Sequence, residues 1–414
     1  MYRKQFSLGW SVVVAIAVVV MLASGAWAAS KYKVVYDFGL YKHGYRPLGN
    51  LALDSKGNFY GGTLGESSCC GMGIYELTPS SKETGLPFKC GNLLCGTPNG
   101  DMIFDREENL YGTAGLLYFT EYGYEPGDVF ELKRSGGRWS VLQLYKFQGI
   151  NSQGGCASGG DGCAPQGGLV FDSSGNLYGT TSQGGTGNCG GSGCGTVFEL
   201  SPNGSGGWTE SILYNFTDCG DGANPEGALV FDKDGNLYGT AGTVFELTPG
   251  AGGSWTFATI YGNVDGAYGN LIFDAAGNLY GTGQGAYGYG DVFELSPNSG
   301  GSWTETVLYS FIGGADGIDP WGALVFDAQG SLYGTTNSGG SGTACTGGCG
   351  TVFKLTPNSS SGWTESLLHT FNQKSGGQNP SSGLTLHKGN LYGTTSYGGI
   401  YGEIGGGVVF EITP

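Results

Sequence analysis

Short apolar runs alternate with glycine-rich polar stretches along this chain, and one such pattern returns again and again. In its plainest form it reads Gly227-Ala228-Leu229-Val230-Phe231-Asp232-Lys233-Asp234-Gly235-Asn236-Leu237-Tyr238-Gly239-Thr240. Its tyrosine recurs as Tyr60, Tyr111, Tyr178, Tyr238, Tyr280, Tyr333 and Tyr392, closest between Tyr238 and Tyr280 and farthest between Tyr111 and Tyr178. Repeats of that spacing mark an architecture whose units cannot bury their apolar faces alone and do so against their neighbours.

The unit around Tyr238 is the shortest and predicts four strands. Residues 228–232 form the first. A tight turn follows, with Gly235 where a positive φ is wanted. Residues 237–240 form the second strand and, after Ala241 and Gly242 alone, residues 243–247 form the third. Thr248 and Pro249 end it, and a glycine-rich turn leads into a fourth strand over 255–261. Nowhere does an apolar period of 3.6 residues persist, so the chain reads as all-β. Four short antiparallel strands per unit make one blade of a β-propeller.

The longest connections follow the Trp-to-Tyr strand, as in residues 217–226 and 312–321. Only a link from the rim of one blade to the hub of the next needs that reach. The Leu-Val-Phe-Asp strand is therefore innermost, and its consecutive apolar residues fit a strand covered on both faces. Residues 32–38 read as a rim strand with no blade before it, while the last repeat supplies three strands (384–386, 391–395 and 408–413) and no fourth. The N-terminal strand thus completes the last blade and closes a ring of seven, leaving no open sheet edge. In the first blade, residues 86–94 are expected to serve as the outer strand.

Composition adds a compartment. Arg3 and Lys4 precede an apolar run from about Leu8 to Ala23, and Ala26-Trp27-Ala28 offers small residues for cleavage, so residues 1–28 are expected to be a signal peptide and 29–414 one propeller domain. No second apolar run is long enough to span a bilayer, which implies no membrane insertion after cleavage. The net charge of -16, made two units more negative by loss of that segment, excludes nucleic acid as a partner and suits a soluble monomer outside the cytoplasm, secreted, periplasmic or at the cell surface. Eleven cysteines in an exported chain imply disulfides with one thiol left over. Cys156 and Cys163, Cys189 and Cys194, and Cys345 and Cys349 lie close in sequence, so bonds within these pairs would stiffen loops.

The segments 168–181 with 195–200, and 322–336 with 350–355, resemble the GloVer tandem-repeat proteins, exported bacterial proteins whose repeat runs Gly-Leu-Val-x-Asp-x-x-Gly-Asn-Leu-Tyr-Gly-Thr-Thr and later Gly-Thr-Val-Phe-Lys-Leu. The resemblance covers nearly all of the mature chain and implies an exported repeat protein. It brings no established activity.

Loop lengths vary on one face only, formed by the rim-to-hub links and the loops between second and third strands; the opposite face carries turns of nearly constant length. Variable loops on a rigid scaffold are where binding is expected. Two constellations map to this top face. Asp161, Asp221, Asp265 and Asp316 each precede a glycine in a rim-to-hub link and could ring the channel mouth and hold calcium; no cofactor is otherwise required. The competing assignment is that each caps its own turn. Trp321, Tyr287, Tyr289, Tyr397, Tyr401, Tyr41, Tyr45, Tyr122 and Tyr124 form an aromatic arc suited to stacking on a glycan or a protein ligand. Trp321 stands where sister repeats place Gln166 and Glu226.

No catalytic residue is assigned, since His43, His369 and His387 occupy unrelated repeat positions and support no His–Ser–Asp or His–Cys arrangement. The acids Asp54, Asp105, Asp172, Asp232, Asp274 and Asp327 recur at a tight turn and read as structural caps. The expected function is glycan or protein recognition on the top face. The alternatives are a propeller lyase or hydrolase using top-face carboxylates and tyrosines, and a structural cell-envelope protein.

Overall fold

The computed structural model describes residues 30–39, 45–64, 73–86, 97–115, 126–149, 156–217, 220–262, 266–358, 362–373, 376–402 and 405–414. The expected signal peptide lies outside them. Seven four-stranded antiparallel sheets are arranged as the blades of a propeller. In the fourth, Val230–Phe231, Leu237–Thr240, Val244–Pro249 and Trp255–Tyr261 run in that order from hub to rim. The seventh combines Thr385–His387, Asn390–Thr395 and Val408–Thr413 with the N-terminal strand Lys31–Asp37. That strand pairs antiparallel with Val408–Thr413, Lys31 opposite Thr413 and Asp37 opposite Val408, which closes the ring as expected.

One strand differs from expectation. The outer strand of the first blade is Glu83–Gly85, paired with Gly73–Leu77, rather than residues 86–94. The cause is the turn before it: Thr78 N–H donates to Lys82 O at 3.0 Å and Ser81 N–H to Thr78 O at 2.8 Å, so pairing resumes at once. Leu86, itself buried, carries it one bond further through its N–H to Ile74 O. Residues 87–94 lie outside the described part.

The repeated residues each have a mechanical task. The aspartate ending an inner strand caps the turn that follows: Asp232 Oδ1 accepts from the N–H groups of Asp234 and Asn236, and Oδ2 from Asn236 Nδ2 and the Tyr238 hydroxyl. Asp54, Asp105, Asp172 and Asp274 repeat this, and Asp327 does so with Ser331 in place of the Asn. The tyrosine ring packs edge-on against the next blade, Tyr238 on Phe273 and Trp303, Tyr178 on Phe231 and Trp255. The following glycine is required by space: a Cβ on Gly239 would stand 2.6 Å from the Phe245 ring. The threonine then ties blades together at the hub, Thr113 donating to Gly167 O at 3.0 Å, Thr240 to Gly269 O at 2.9 Å and Thr335 to Ser382 O at 2.8 Å. The apolar core accordingly lies between blades, its larger clusters drawing on two neighbours, as where Tyr238 and Val244 meet Leu271, Leu279 and Phe293.

Links and loops share the top face. In the third blade, Gly160–Cys163 of the link pairs with Gln183–Gly185 of the loop between second and third strands. Ile318 and Ser338 in the sixth blade, and Gln378 and Tyr397 in the seventh, make the same contact.

Candidate functional site

Five of the links end in a proline followed by a variable residue and a glycine: Pro47-Leu48-Gly49, Pro98-Asn99-Gly100, Pro165-Gln166-Gly167, Pro225-Glu226-Gly227 and Pro320-Trp321-Gly322; the seventh blade has Pro380-Ser381-Ser382 and the fifth Ala267-Tyr268-Gly269. The glycine cannot be larger, because a Cβ on Gly227 would lie 2.5 Å from Gly269 O and 2.7 Å from Thr240 Oγ1. Backbone packing around the axis therefore fixes the glycine, and the residue before it is free to vary. Those variable residues, Leu48, Asn99, Gln166, Glu226, Trp321 and Ser381, ring the mouth of a cavity of about 660 Å³ at the top of the central channel. All seven blades contribute to its wall.

Two residues further along each inner strand, on the same face, the channel narrows. Here Asn50, Asp101 and Asn270 project from blades one, two and five, while Gly168, Ala228, Ala323 and Gly383 leave room for them. Asp101 Oδ1 accepts from Asn50 N–H at 2.6 Å, and Oδ2 from Asn50 Nδ2 at 2.7 Å and Asn270 Nδ2 at 2.6 Å. Asn270 Oδ1 accepts in turn from Ala228 N–H. A Cβ on Gly168 would meet the Asp101 Cβ at 2.8 Å, which explains the small residue opposite. Four blades are thus cross-linked by one polar plug. Burial pushes the Asp101 carboxyl above its ordinary value, and the bonds from Asn50 and Asn270 offset only part of that rise. Glu226 and Asp319 higher in the cavity are also raised by burial.

Of the aromatic candidates among the described residues, only Trp321 lines this cavity, with about half its surface exposed (49%). Tyr287 and Tyr289 are exposed beside it, on the loop whose Tyr289 O accepts from Asp319 N–H at 3.0 Å. Tyr45 and Tyr397 sit together at the seam of blades seven and one, where the Arg46 guanidinium lies 5.6 Å from one ring and 4.2 Å from the other. Tyr401 is exposed on the same seam, next to Gly39. Tyr41, Tyr122 and Tyr124 lie outside the described residues. The rings thus gather on two seams, one beside the cavity mouth and one away from its wall.

The acids sit at the rim end of their links. Asp161 accepts from the Tyr145 hydroxyl and Gln148 N–H, Asp221 from the Tyr214 hydroxyl and Thr217, and Asp316 from the Tyr309 hydroxyl and Ile312 N–H. None of the three lines the cavity, Asp265 lies outside the described residues, and among those residues no three His, Cys, Asp or Glu side chains gather as a metal site would need. Disulfides join Cys156–Cys163, Cys189–Cys194 and Cys345–Cys349, all in top-face loops. Sequence reasoning passed over Asp101, Asp319 and the Asn pair. The readable signal was the Pro-x-Gly triplet, whose middle residue changes character from blade to blade far more than its neighbours.

The family described as the Gloeobacter/Verrucomicrobia repeat matches residues 73–242 and 240–414. No curated protein matches the sequence. Similar solved structures include a gluconolactonase from Xanthomonas campestris, 13% identical with TM-score 0.43, covering 94% of this chain and 92% of that one. A putative oxidoreductase (glucose dehydrogenase) from Thermus thermophilus is 17% identical with TM-score 0.44, covering 74% and 94%. A luciferin-regenerating enzyme is 12% identical with TM-score 0.42, covering 93% and 96%.

Proposed function

We propose that this chain, which belongs to the Gloeobacter/Verrucomicrobia repeat family, is an exported, monomeric binding module that holds a saccharide at the mouth of its central channel. The observation that carries this is the cavity itself. Its volume of about 660 Å³ falls within the roughly 300–1,000 Å³ of small-ligand sites. Its rim offers a half-exposed indole beside the polar groups of Asn99, Gln166, Glu226, Gln284 and Asp319. An aromatic face stacks on the C–H side of a pyranose, while amide and carboxylate groups pair with hydroxyls around its edge. Trp321 has no structural reason to be large, because Ser381 and Asn99 fill the same position in sister blades. Three disulfides fit an oxidising compartment outside the cytoplasm, and no helix among the described residues is long and apolar enough to cross a membrane.

The test is a glycan array with intact protein and Trp321→Ala. Binding should fall by roughly 2 kcal/mol or more if the indole is a hot spot, with the melting temperature nearly unchanged. Lost stability without lost binding would make the ring local packing and remove the site. The hydrolase or lyase reading draws on the raised carboxyls in the cavity, since perturbed groups in a cleft suit acid–base chemistry. Turnover of an array ligand that Asp319→Asn abolishes would favour it.

A further inference from the structure

Among the described residues, the cavity wall holds three carboxyl groups, Asp101, Glu226 and Asp319, and no lysine, arginine or histidine. Arg46, two residues before Leu48, turns its guanidinium onto Tyr397 and Tyr45 instead. The residue before the proline varies among the blades, with Arg46, Thr97 and Ala164 in the first three. In blades four and seven the residue before the proline is an asparagine whose amide stitches it to the preceding blade, Asn224 Nδ2 donating to Ser182 O at 2.8 Å and Asn379 Nδ2 to Asn337 O at 3.0 Å. Blade six places Asp319 there, in the same left-handed backbone (φ 59°, against 54° at both asparagines). A carboxylate cannot donate that bond, so the stitch is missing. No donor among the described residues meets the Asp319 side chain, which lines the cavity two residues before Trp321.

Resting on the cavity as the ligand site, we propose that it selects a ligand bearing a protonated amine, an amino sugar in preference to a neutral or acidic one. Carboxylates facing a shared cavity without a counter-ion repel an anionic ligand and attract a cation. An ammonium drawn to these carboxylates would share the cavity with the Trp321 indole, whose face can add cation–π attraction to the ion pairs. Burial raises all three carboxyl pKa values, and Asp101 is held by its bonds from Asn50 and Asn270, which leaves Glu226 and Asp319 to face a ligand.

Calorimetry on the full mature chain tests this with four probes: a glucosamine tetramer, its N-acetylated counterpart, an oligogalacturonate and spermidine. The glucosamine tetramer should bind roughly tenfold or more tightly than the N-acetylated one and weaken as salt rises, and the oligogalacturonate should not bind. Asp319→Asn should lose most of that preference, the glucosamine tetramer losing far more affinity than the N-acetylated one. It should also melt no lower than the intact protein, since the seam regains its amide. Glu226→Gln gives an independent second loss. Equal affinity for the two tetramers, or a preference that survives both variants, overturns the amine selection while leaving the cavity as a sugar site. Spermidine binding as well as the glucosamine tetramer would keep the ammonium and remove the sugar. If no probe binds and Trp321→Ala alters nothing, both the selection and the cavity assignment fall.

Discussion

A single atom decides much of this fold. Most hub triplets need their glycine because blade-to-blade contact at the axis leaves little volume for a Cβ, although Ser382 stands in its place in the seventh blade and Gly49 and Gly269 also carry positive φ of 67° and 75°. Gly227→Ala would press its new methyl against Gly269 O and Thr240 Oγ1 and should lower stability by about 1–3 kcal/mol, read as an earlier denaturant midpoint. Gly235→Ala is a useful contrast: nothing lies within 4 Å, but its φ of 88° is strained for any L side chain, so its cost should be near 1 kcal/mol and come from backbone alone. Asp101→Ala should cost more than its area suggests. It strands the Asn50 and Asn270 amides inside the hub, and each buried unmet donor is worth roughly 1–3 kcal/mol. A midpoint unchanged by Asp101→Ala would mean that the plug is idle.

At the scale of strands, the N-terminal strand should matter most. Lys31–Asp37 supplies the rim of the seventh blade, with Tyr32 stacked on His369 of the sixth at 3.8 Å and packed on Phe371. Deleting residues 31–37 exposes the Val408–Thr413 edge and should cause a large fall in melting temperature or aggregation. A truncated chain that melts like the intact one would contradict the closure. The disulfides should behave differently. They close loops with sequence separations of 7, 5 and 4, and short loops yield only about 2 kcal/mol apiece. Gentle reduction should therefore loosen the top loops, seen as faster amide exchange there, while the blades stay folded.

For the whole molecule, buried titratable groups at the seams set opposing pH trends. Burial lowers the pKa of His369 from 6.5 to about 4. The unfolded chain takes up that proton first, so the stability involved is complete above pH 6.5 and is lost as pH falls toward 4, up to roughly 3 kcal/mol. Glu210 and Glu365 run the other way, burial first and then Asp161 and Asp316 raising them from 4.5 to about 7. Each keeps a buried Oε1 with no donor among the described residues. Their stability is full below pH 4.5 and lost as pH rises through 7, and solvent screening limits each to about 1 kcal/mol. The double variant Glu210→Gln/Glu365→Gln should melt higher than the parent at pH 8 and the same at pH 4. His369→Gln should flatten the loss between pH 6.5 and 4. The reverse dependence in either variant would rule out these assignments.

The repeat unit, the four strands of every blade but the first, the capping aspartates and the closure by the N-terminal strand were legible in the sequence, because each depends on alternation and turn chemistry within a few dozen residues. The position of Trp321 was legible too, as a residue out of keeping with its sister repeats. The outer strand of the first blade was not, since a tight turn rather than an aromatic signature set where its pairing resumed. Turn capping by Asp161, Asp221 and Asp316 was one of two readings the sequence allowed, but their tyrosine partners, on the rim strands leading into their links, were not legible. Asp101 was the least visible of all: its meaning lies in Asn50 and Asn270, brought to it from two other blades across the axis. Local periodicity fixes which residues face the channel. Only closure of the ring decides which of those residues meet, because that distance is set by seven blades at once.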